Sequence, residues 1–495
     1  MAKSAGIIGA GLGGLSAALR LAANGFKVDL FEKNESPGGK MNLHKASGYR
    51  FDTGPSLLTM PFIIDELFHS IGLKRDQYLT FLEIDPICRY FWEDGAILDA
   101  YAQLDRMKQS IARISKEDGQ KYRDFLLYSK NLYDLTADVF LYTPVHELRK
   151  LANKNTIRKL LRIREIDPFR TVHESISRYF TDDKIRQIFD RYATYNGSNP
   201  FQAPATLNII PYVEYVLGSY YIEGGMYRLI ETLVKLAEKL DIRIHTETPV
   251  QKILHRNKKI KGLLVENEEL SFDYVVCNSD VITTFEDLID GYNTKTKKLQ
   301  KLEPSLSGVV FLWGINQVSE NLKHHNIYFT QSYSKEFSCL FTDMTIPDDP
   351  TVYIAITSKS DPSHAPEGKE NWFVLCNMPH QNDKINWESA AQKVKQSVLR
   401  KLKNCQMDVE SKIEYEYIFT PDDFYKLYKS NKGSIYGISS NNKMTAFRRP
   451  ANRSREIKGL YFATGSAHPG GGIPLTVLSG KHASDLILER EGIKH

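Results

Sequence analysis

Cysteine is scarce in this sequence: five cysteines are scattered over 495 residues, and no two of them are spaced as Cys-x-x-Cys. A disulfide framework or a structural zinc site needs paired or clustered cysteines, so this distribution argues against both. The sequence also lacks a Ser/His/Asp array or a metal-ligand cluster with recognisable spacing. We therefore expect a protein of a reducing compartment that binds no metal and takes its chemistry from another source.

Long apolar runs are missing as well. The longest uncharged stretch, residues 192–213, is interrupted by Pro200, Pro204 and Pro211, whereas a spanning helix needs about 20 consecutive apolar residues. Neither sign of charge dominates, because 65 basic and 60 acidic residues leave a net charge of +5. This excess is too small to indicate a nucleic-acid partner, and none is expected.

The composition that remains is ordinary for a globular protein, with 42% apolar and 25% charged residues. It excludes collagen, a disordered tail and a coiled-coil rod. A chain of this length exceeds what one hydrophobic core usually supports, so two or three sub-domains are expected.

Glycine is concentrated near the N terminus, in a G-x-G-x-x-G pattern between a short apolar run and a run of strong helix formers. In such a strand–turn–helix unit, Gly9 permits the tight turn, Gly11 lets the backbone approach a pyrophosphate, and Gly14 lets the helix pack on the sheet. Gly13 belongs to the same turn. Glu32 ends the next predicted strand and can accept hydrogen bonds from ribose hydroxyls. The pattern predicts a dinucleotide site but does not separate FAD from NAD.

Two further turns follow the second strand. A glycine doublet lets a backbone run close to a flat or phosphate-bearing ligand, and a lysine can neutralise a phosphate. Ordinary surface turns remain an equal alternative for these residues. The cofactor candidates in the two turns are Lys33, Gly38, Gly39, Lys40, Gly54, Pro55 and Ser56.

The order of these motifs resembles a known superfamily. The run E-K-N-x-x-x-G-G-K from residue 32, followed by F-D-x-G-P-S from residue 51, is similar to the FAD-binding amine-oxidase-like flavoproteins, and within them to the phytoene-desaturase family of carotenoid enzymes. The resemblance implies FAD as the cofactor. It also implies that the backbone at Val250 meets the adenine side and that a C-terminal strand, turn and helix return to the flavin. That C-terminal group comprises Gly465, Ser466, Gly472, Ile473 and Pro474.

A finer resemblance rests on H-P-G-G-G-I-P at 468–474, where the family's desaturases usually have alanine as the fourth residue. With the segments 54–61 and 430–437, this sequence looks most like bacterial C30 carotenoid oxygenases that act on diaponeurosporene or diapolycopene. The resemblance implies oxidation of a terminal methyl group to an aldehyde, with molecular oxygen or another electron acceptor. A diapophytoene-type or phytoene-type desaturase is the first alternative. A non-enzymatic prenyl-lipid chaperone and an amine oxidase remain further alternatives.

The expected fold is α/β, with a Rossmann-like FAD-binding domain of the amine-oxidase type and two inserted units. The FAD-binding domain is discontinuous and takes residues 1–70, 222–290 and 450–495. Residues 100–205 have helical periodicity and are predicted to form a lid that contacts a membrane. Residues 291–445 alternate β-rich runs with helices and are predicted to form the substrate-binding sheet domain.

A polyene carries no charge, so the resemblance implies recognition by an apolar tunnel. The candidate wall residues are Tyr212, Tyr215, Tyr220 and Tyr221, although aromatic residues are often simply part of a core. His468 is the one titratable group in the C-terminal glycine loop. It is the candidate catalytic residue, and a structural hydrogen bond is an equal alternative.

A basic stretch at 148–164 contains seven lysine or arginine residues and one hydrophobic face. Such a helix can lie on an anionic bilayer surface, although a solvated face of a surface helix is the other interpretation. Arg158, Lys159 and Arg162 are the candidate membrane contacts. The expected location is the cytoplasm, with peripheral association with the cytoplasmic membrane, where a polyene substrate would reside.

Overall fold

A computed structural model describes residues 2–151, 162, 167, 169–442 and 449–494. The strands, in chain order, are β1 Ser4–Ile8, β2 Lys27–Phe31, β3 Leu43–Ala46, β4 Tyr49–Asp52, β5 Phe81–Glu83, β6 Cys88–Phe91, β7 Ile97–Ala100, β8 Tyr220–Ile222, β9 Arg243–His245, β10 Val250–Arg256, β11 Lys259–Val265, β12 Glu268–Ser271, β13 Tyr274–Cys277, β14 Ser307–Ile315, β15 His325–Tyr328, β16 Val352–Ile356, β17 Glu370–Met378, β18 Ile413–Phe419 and β19 Leu460–Phe462.

The α-helices, in chain order, are α1 Leu12–Ala23, α2 Phe62–His69, α3 Leu104–Ala112, α4 Lys116–Phe140, α5 Leu148–Leu151, α6 Val172–Ile176, α7 Asp183–Asp190, α8 Ile209–Tyr215, α9 Arg228–Lys239, α10 Val281–Thr283, α11 Asn293–Leu299, α12 Tyr333–Ser338, α13 Trp387–Asn404, α14 Pro421–Tyr428 and α15 Ile473–Arg490. Short 3₁₀ segments include Arg191–Asn196 and Ala205–Asn208. No helix of the described residues combines the length and apolar character that crossing a bilayer requires.

The first unit is a five-stranded sheet in the order β19-β13-β1-β2-β9, with every neighbouring pair parallel. Its central strands are short apolar runs that are buried along almost their whole length. This is the pattern of a parallel sheet covered by helices on both faces. The five strands come from three separated parts of the chain, and all of them fall within the ranges predicted for the FAD-binding domain.

Helices α1 and α15 pack closely against each other on this sheet. Small residues allow that approach: a Cβ built at Gly480 would lie 2.6 Å from the carbonyl oxygen of Gly13 and 2.6 Å from the Cβ of Ser16. The Ser16 hydroxyl also donates to the carbonyl of Val477, with 3.0 Å between the oxygens. The two helices are therefore fixed side by side, with their N termini near the same edge of the sheet.

The second unit is a seven-stranded sheet in the order β18-β14-β17-β16-β15-β6-β7. Its neighbours are antiparallel except for β15 and β6, which run parallel. Alternate residues of β14 and β17 face opposite sides of the sheet: Val309 and Val374 pack against α13, whereas Val310 and Phe373 belong to another core on the opposite side. Strands β6 and β7 lie between residues 88 and 100, outside the range 291–445 that the sequence predicts for this domain.

The third unit is helical and comprises α3, α4, α6, α7 and α8 with their connections. Its core is rich in aromatic side chains, among them Tyr122, Phe125, Phe180 and Phe189. The N terminus of α6 has a capping box between Thr171 and Glu174. Of the predicted membrane contacts, Arg162 is exposed, whereas Arg158 and Lys159 lie outside the described residues.

Candidate active site

The glycine turn between β1 and α1 forms a cradle. Gly9 has a φ of 92°, which is the left-handed region that favours glycine. The amide of Gly11 donates to Oδ1 of Asn278 at 3.0 Å, and a Cβ built at Gly11 would lie 2.5 Å from that oxygen. Helix α1 begins at Leu12, and Gly9, Gly11 and Leu12 line a cavity. A helix N terminus behind a side-chain-free turn can bind an anion such as a pyrophosphate.

Glu32 follows β2 and lines the same cavity. It is only 4% exposed, and its two carboxylate oxygens accept hydrogen bonds from the amides of Ala10 at 2.9 Å and Asn34 at 3.0 Å. These bonds fix its orientation, and each oxygen retains a lone pair for a ribose hydroxyl. The amide of Thr248 donates to the Glu32 carbonyl at 2.8 Å, which places Val250 on the cavity wall beside it.

The glycine doublet crosses over the first turn. The Gly38 amide donates to the carbonyl of Ala10 at 2.8 Å, and a Cβ built at Gly39 would lie 3.5 Å from the Cα of Gly11. A Cβ at Gly54 would lie 2.0 Å from the carbonyl oxygen of Lys40. The sequence-predicted turns are thus brought together in one cradle. Members of the two turns that line the cavity are Lys33, Gly38, Gly39, Lys40, Gly54, Pro55 and Ser56.

The two lysines of these turns contact backbone carbonyls of this chain. Nζ of Lys40 donates to the carbonyls of Ser434 at 3.1 Å and Ile435 at 2.6 Å, and burial lowers the pKa of its ammonium group to about 8. Nζ of Lys33 donates to the carbonyl of Lys426 at 2.8 Å. The two lysines therefore tie the cradle to α14 and to the loop that follows it, in addition to any charge they present to a ligand.

The C-terminal turn lies next to the cradle, on the wall of the same cavity. Helix α15 begins after Gly472, which has a φ of 101° and precedes Pro474 in the first turn. Gly465, Ser466, Gly472, Ile473 and Pro474 all line the cavity. The structure thus presents two helix N termini, those of α1 and α15, to one cavity.

Sequence reasoning missed Arg449, which is one of two adjacent arginines and has no recognised motif around it. It is buried and lines the cavity. Its guanidinium donates to the carbonyls of Gly465 at 3.1 Å and Ile438 at 2.8 Å and to Oδ1 of Asn196 at 3.0 Å. Burial lowers its pKa to about 10. It therefore joins the C-terminal turn to the helical unit.

His468 lies in the C-terminal turn and also lines the cavity. Its Nε2–H donates to the carbonyl of Thr143 at 3.0 Å, since a carbonyl can only accept. Burial, with the neighbouring His482 and His146, holds the pKa of His468 well below its usual range, so the ring is neutral. The structural hydrogen bond that the sequence left open is present, and it holds the end of α4 to this turn.

One cavity of about 1310 Å³ joins the cradle to the face of the seven-stranded sheet. Pockets for drug-sized ligands occupy about 300–1,000 Å³, so this cavity has room for a dinucleotide and a second ligand. Beyond the cradle its walls are mainly apolar. These wall residues include Leu135, Val139, Ile209, Ile210, Val213, Ile327, Phe373 and Leu375.

The four tyrosines predicted as tunnel walls do not line this cavity. Helix α8 does contribute to it, but through Ile209, Ile210, Val213 and Glu214. Tyr215 belongs to the core of the helical unit, and the ring centroid of Tyr212 lies 5.3 Å from that of Tyr133. The sequence therefore located the element and assigned the wrong face of it, because large aliphatic or aromatic side chains lie on both faces of this short helix.

The other two tyrosines belong to β8. The Tyr221 hydroxyl donates to Oδ2 of Asp52 at 2.9 Å within the core, and burial raises its pKa. Tyr220 pairs with Phe81, with ring centroids 6.4 Å apart. Both contacts hold β8 in place behind the cavity.

A polar network forms part of the cavity wall, and no motif in the sequence indicates it. Arg191 and Glu214 are buried and joined by an ion pair of 2.9 Å between Nη2 and Oε1. The hydroxyl of Tyr192 donates to Oε1 of Glu214 at 2.7 Å, and that of Tyr195 donates to Oε2. Nε of Arg191 donates to the Tyr90 hydroxyl at 3.0 Å. Each charge is thus balanced and hydrogen-bonded within the wall.

This geometry accompanies a clear similarity to known proteins. A family model described as flavin-containing amine oxidoreductase matches residues 12–488. The chain belongs to this family. The membership accounts for the cradle. Its glycines carry no Cβ atoms, which leaves room for a dinucleotide pyrophosphate to approach the backbone.

Three curated relatives cover nearly the whole chain. A 1-hydroxycarotenoid 3,4-desaturase from Flavobacterium sp. is 41% identical over 98% of this chain and 99% of its own length. A 4,4'-diapolycopene oxygenase from Methylomonas sp. is 35% identical over 97% of both chains. A 4,4'-diaponeurosporene oxygenase from Staphylococcus haemolyticus is 34% identical over 97% of this chain and 96% of its own. The expected resemblance to carotenoid enzymes is confirmed.

Solved structures share the fold at low sequence identity. An oxidoreductase from Methanosarcina mazei superposes with a TM-score of 0.67 at 16% identity, covering 97% of this chain and 100% of the other. Cyclohexylamine oxidase from Brevibacterium oxydans gives a TM-score of 0.60 at 16% identity, covering 99% and 100%. The expected fold class is confirmed. As a member of the flavin-containing amine oxidoreductase family, this chain is an FAD-dependent oxidoreductase.

Proposed function

We propose that this oxidoreductase acts on a polyene of the carotenoid class. The observation that carries the proposal is the single cavity, which runs from the dinucleotide cradle to walls of aliphatic and aromatic side chains. A polyene offers no charge to bind, so its recognition depends on a matching apolar surface. The full-length relatives named as carotenoid enzymes support the same substrate class.

Bound FAD would supply the acceptor for a hydride from an allylic C–H bond. The chain's own residues bind and orient the two ligands. The cradle and Glu32 hold the dinucleotide, and Leu375 and Val310 on the sheet face exclude water from the reacting region. No acid or base within the glycine turns is needed for such a step, and the neutral His468 ring serves to hold the turn in place.

At the finer level we propose oxygenation of the terminal methyl group of a C30 polyene, toward an aldehyde. Two relatives named as diapolycopene and diaponeurosporene oxygenases support this activity. Molecular oxygen would then be a co-reactant, because the aldehyde contains an oxygen atom that neither the polyene nor the flavin supplies. The intact cradle disfavours a flavin-free lipid chaperone, because such a protein has no use for a side-chain-free pyrophosphate turn.

Desaturation is the second candidate, and a specific observation favours it. The relative at 41% identity is named as a desaturase of a 1-hydroxycarotenoid, whereas the two oxygenases are 35% and 34% identical. Both candidates begin with loss of an allylic hydrogen and need the same cavity. They differ in the product, which gains oxygen in one case and a double bond in the other.

Product analysis separates the candidates. The FAD-loaded protein is incubated with diaponeurosporene, diapolycopene and a 1-hydroxycarotenoid in detergent micelles, and the products are identified by mass spectrometry. An aldehyde on a C30 polyene supports the oxygenase, and loss of two hydrogen atoms without added oxygen supports the desaturase. An unchanged set of polyenes, with FAD bound and an electron acceptor present, would contradict both candidates.

We also propose that the protein meets its substrate at the cytoplasmic membrane surface. Phe169 lines the cavity and is 77% exposed, close in sequence to the basic stretch at 148–164. An exposed aromatic side chain at a cavity rim suits insertion between lipid headgroups, and nearby cations suit an anionic surface. One of those cations, Lys150, also pairs with Glu489.

A further inference from the structure

The polyene part of the cavity contains one side chain whose polar atom has no partner. His325 lies at the start of β15, is only 3% exposed and lines the cavity. Its Nε2 has no hydrogen-bond partner. Among the described residues, it is the one buried, unpartnered side-chain nitrogen or oxygen that belongs to a cavity-lining residue.

The other side of the His325 ring is held firmly. Nδ1 of His325 lies 2.8 Å from the hydroxyl oxygen of Tyr353, which in turn lies 2.5 Å from Oγ of Ser56. The rings of His325 and Tyr353 are nearly parallel, with centroids 5.9 Å apart. Both Tyr353 and Ser56 line the cavity. This chain of hydrogen bonds fixes the ring through Nδ1 and leaves the buried Nε2 without a partner.

The nearby Arg191–Glu214 network does not provide a partner for Nε2 of His325. Its own donors and acceptors are paired with one another, so it needs no ligand. A buried polar atom without a partner destabilises the fold, and the contact of Nδ1 with the Tyr353 hydroxyl accounts for only one of the two ring nitrogens. An apolar ring of similar shape would fill the same space against a pure hydrocarbon.

We infer that His325 recognises a hydroxyl group carried by the polyene. The inference rests on the proposed function, since it names a chemical feature of the same substrate. A neutral imidazole has one donor and one acceptor nitrogen, and the Tyr353 hydroxyl can pair with Nδ1 in either role. Nε2 is then left as a donor or as an acceptor. A hydroxyl group can pair with Nε2 in both cases, whereas a carbonyl can pair in only one.

The hydroxyl group has two sources that an experiment can distinguish. It is present on the substrate as it arrives, as in a 1-hydroxylated acyclic carotenoid, or it belongs to a terminal alcohol on the way to an aldehyde. In both cases the hydroxyl adds a specific contact to an otherwise apolar binding surface. A site with a buried polar group discriminates strongly against a ligand that lacks its partner, by up to about 10⁴-fold.

The test compares His325→Phe with wild-type holoenzyme. Three probes are used in detergent micelles: an acyclic carotenoid, its 1-hydroxy derivative and a C30 polyene with a terminal alcohol. Binding is followed by the change in the flavin spectrum, and turnover by product formation. We expect wild type to bind at least one hydroxylated probe about 10- to 100-fold more tightly than the hydrocarbon. In His325→Phe this preference falls to about one, because binding of the hydrocarbon is retained.

Matched variants keep the test falsifiable. His255→Phe is the same substitution on β10, outside the cavity, and should keep the preference. His325→Gln restores a donor and an acceptor and should recover part of it. If His325→Phe fails to bind FAD, Tyr353→Phe is tested instead. This variant keeps the His325 ring but removes the hydroxyl that contacts its Nδ1. We then expect a smaller preference for the hydroxylated probe.

The outcomes separate this inference from the function on which it rests. Equal binding of all three probes by wild type, or an unchanged preference in both cavity variants, would overturn the role of His325 and leave polyene oxidation standing. Failure of wild type to oxidise any of the probes would instead overturn the proposed function. A preference for the 1-hydroxy probe assigns the hydroxyl to the incoming substrate, and a preference for the terminal alcohol assigns it to an oxidised end.

Discussion

At the scale of single residues, Gly11 is a position that cannot accommodate a side chain. A Cβ at this position would already lie 2.5 Å from Oδ1 of Asn278, and the two methyl groups of valine would extend into the cradle. We predict that Gly11→Val purifies with less than about a tenth of the wild-type FAD, since a steric clash of even 1.4 kcal/mol lowers affinity tenfold. Flavin absorbance per protein measures this directly.

Gly25→Ala is the control for this prediction. Gly25 follows the same helix with a φ of 82°, and a Cβ there would have nothing within 4 Å. The alanine costs about 1–2 kcal/mol of backbone strain but leaves the cradle unchanged, so FAD should be retained. Normal flavin content in Gly11→Val would show that the pyrophosphate does not lie against this turn.

Glu336 sets a pH dependence of stability. Its carboxylate accepts from the Thr351 amide at 2.8 Å and hydroxyl at 2.7 Å, and burial raises its pKa from 4.5 to about 7. Between these values the folded protein holds a proton that the unfolded chain has lost, so the free energy of unfolding falls as pH rises through this window. The fall is at most about 1.4 kcal/mol per pH unit.

Glu336→Gln should remove this contribution, because an amide makes both contacts with Thr351 without a charge. We predict that the variant gains stability relative to wild type between pH 4.5 and about 7, as measured by denaturant unfolding at several pH values. Glu268→Gln, the same change on the exposed strand β12, should leave the wild-type pH profile as it is. A constant difference between Glu336→Gln and wild type across the window would be evidence against the assignment.

At the scale of elements, the contact between α1 and α15 holds two helix N termini at one cavity. A Cβ at Gly480 would meet the Gly13 carbonyl oxygen at 2.6 Å, so Gly480→Ala must push the helices apart. Overpacking of this kind costs about 1–3 kcal/mol. We predict a lower melting temperature and faster loss of FAD on dilution, both followed by flavin fluorescence.

The matched change is Gly492→Ala, just beyond the end of α15. Gly492 has a φ of 72°, and a Cβ there would have nothing within 4 Å. This variant loses some stability through backbone strain but keeps the helix contact, so its FAD should dissociate at the wild-type rate. Equal dissociation rates for the two variants would mean that the helix contact does not support cofactor binding.

The sequence predicts the secondary-structure elements better than it predicts the residues of the site. The β1–α1–β2 unit and the C-terminal strand and helix are predicted well, because glycine spacing and buried apolar runs are local signals. The assignment of β6 and β7 to the second sheet could not be predicted, since the parallel pairing of β6 with β15 joins residues far apart in the chain. His325, Arg191 and Arg449 were missed for the same reason: single residues become a site only through tertiary contacts.

At the scale of the whole molecule, the proposed membrane contact would involve a surface and not one side chain. Changing Arg158, Lys159 and Arg162 together to glutamine removes three cations, each worth about 1 kcal/mol near anionic headgroups. We predict roughly 100-fold weaker binding to anionic vesicles in a flotation assay. Changing Lys258, Lys259 and Lys261, which are exposed around the β10–β11 turn, is the charge-matched control. Equal partitioning of both triple variants would remove the basic stretch from the membrane contact.

The parallel sheet of the first unit has a consequence for how the protein is made. Strand β19 and helix α15 are synthesised after both inserted units, yet they form one edge of the sheet and one wall of the cofactor cavity. A nascent chain therefore carries β1, β2 and the glycine turn through the synthesis of both inserted units without a complete place for the flavin. We therefore expect cofactor uptake to follow the addition of β19 and α15 to the sheet. The flavin content of a wild-type preparation should then measure the fraction of chains that completed this edge of the sheet.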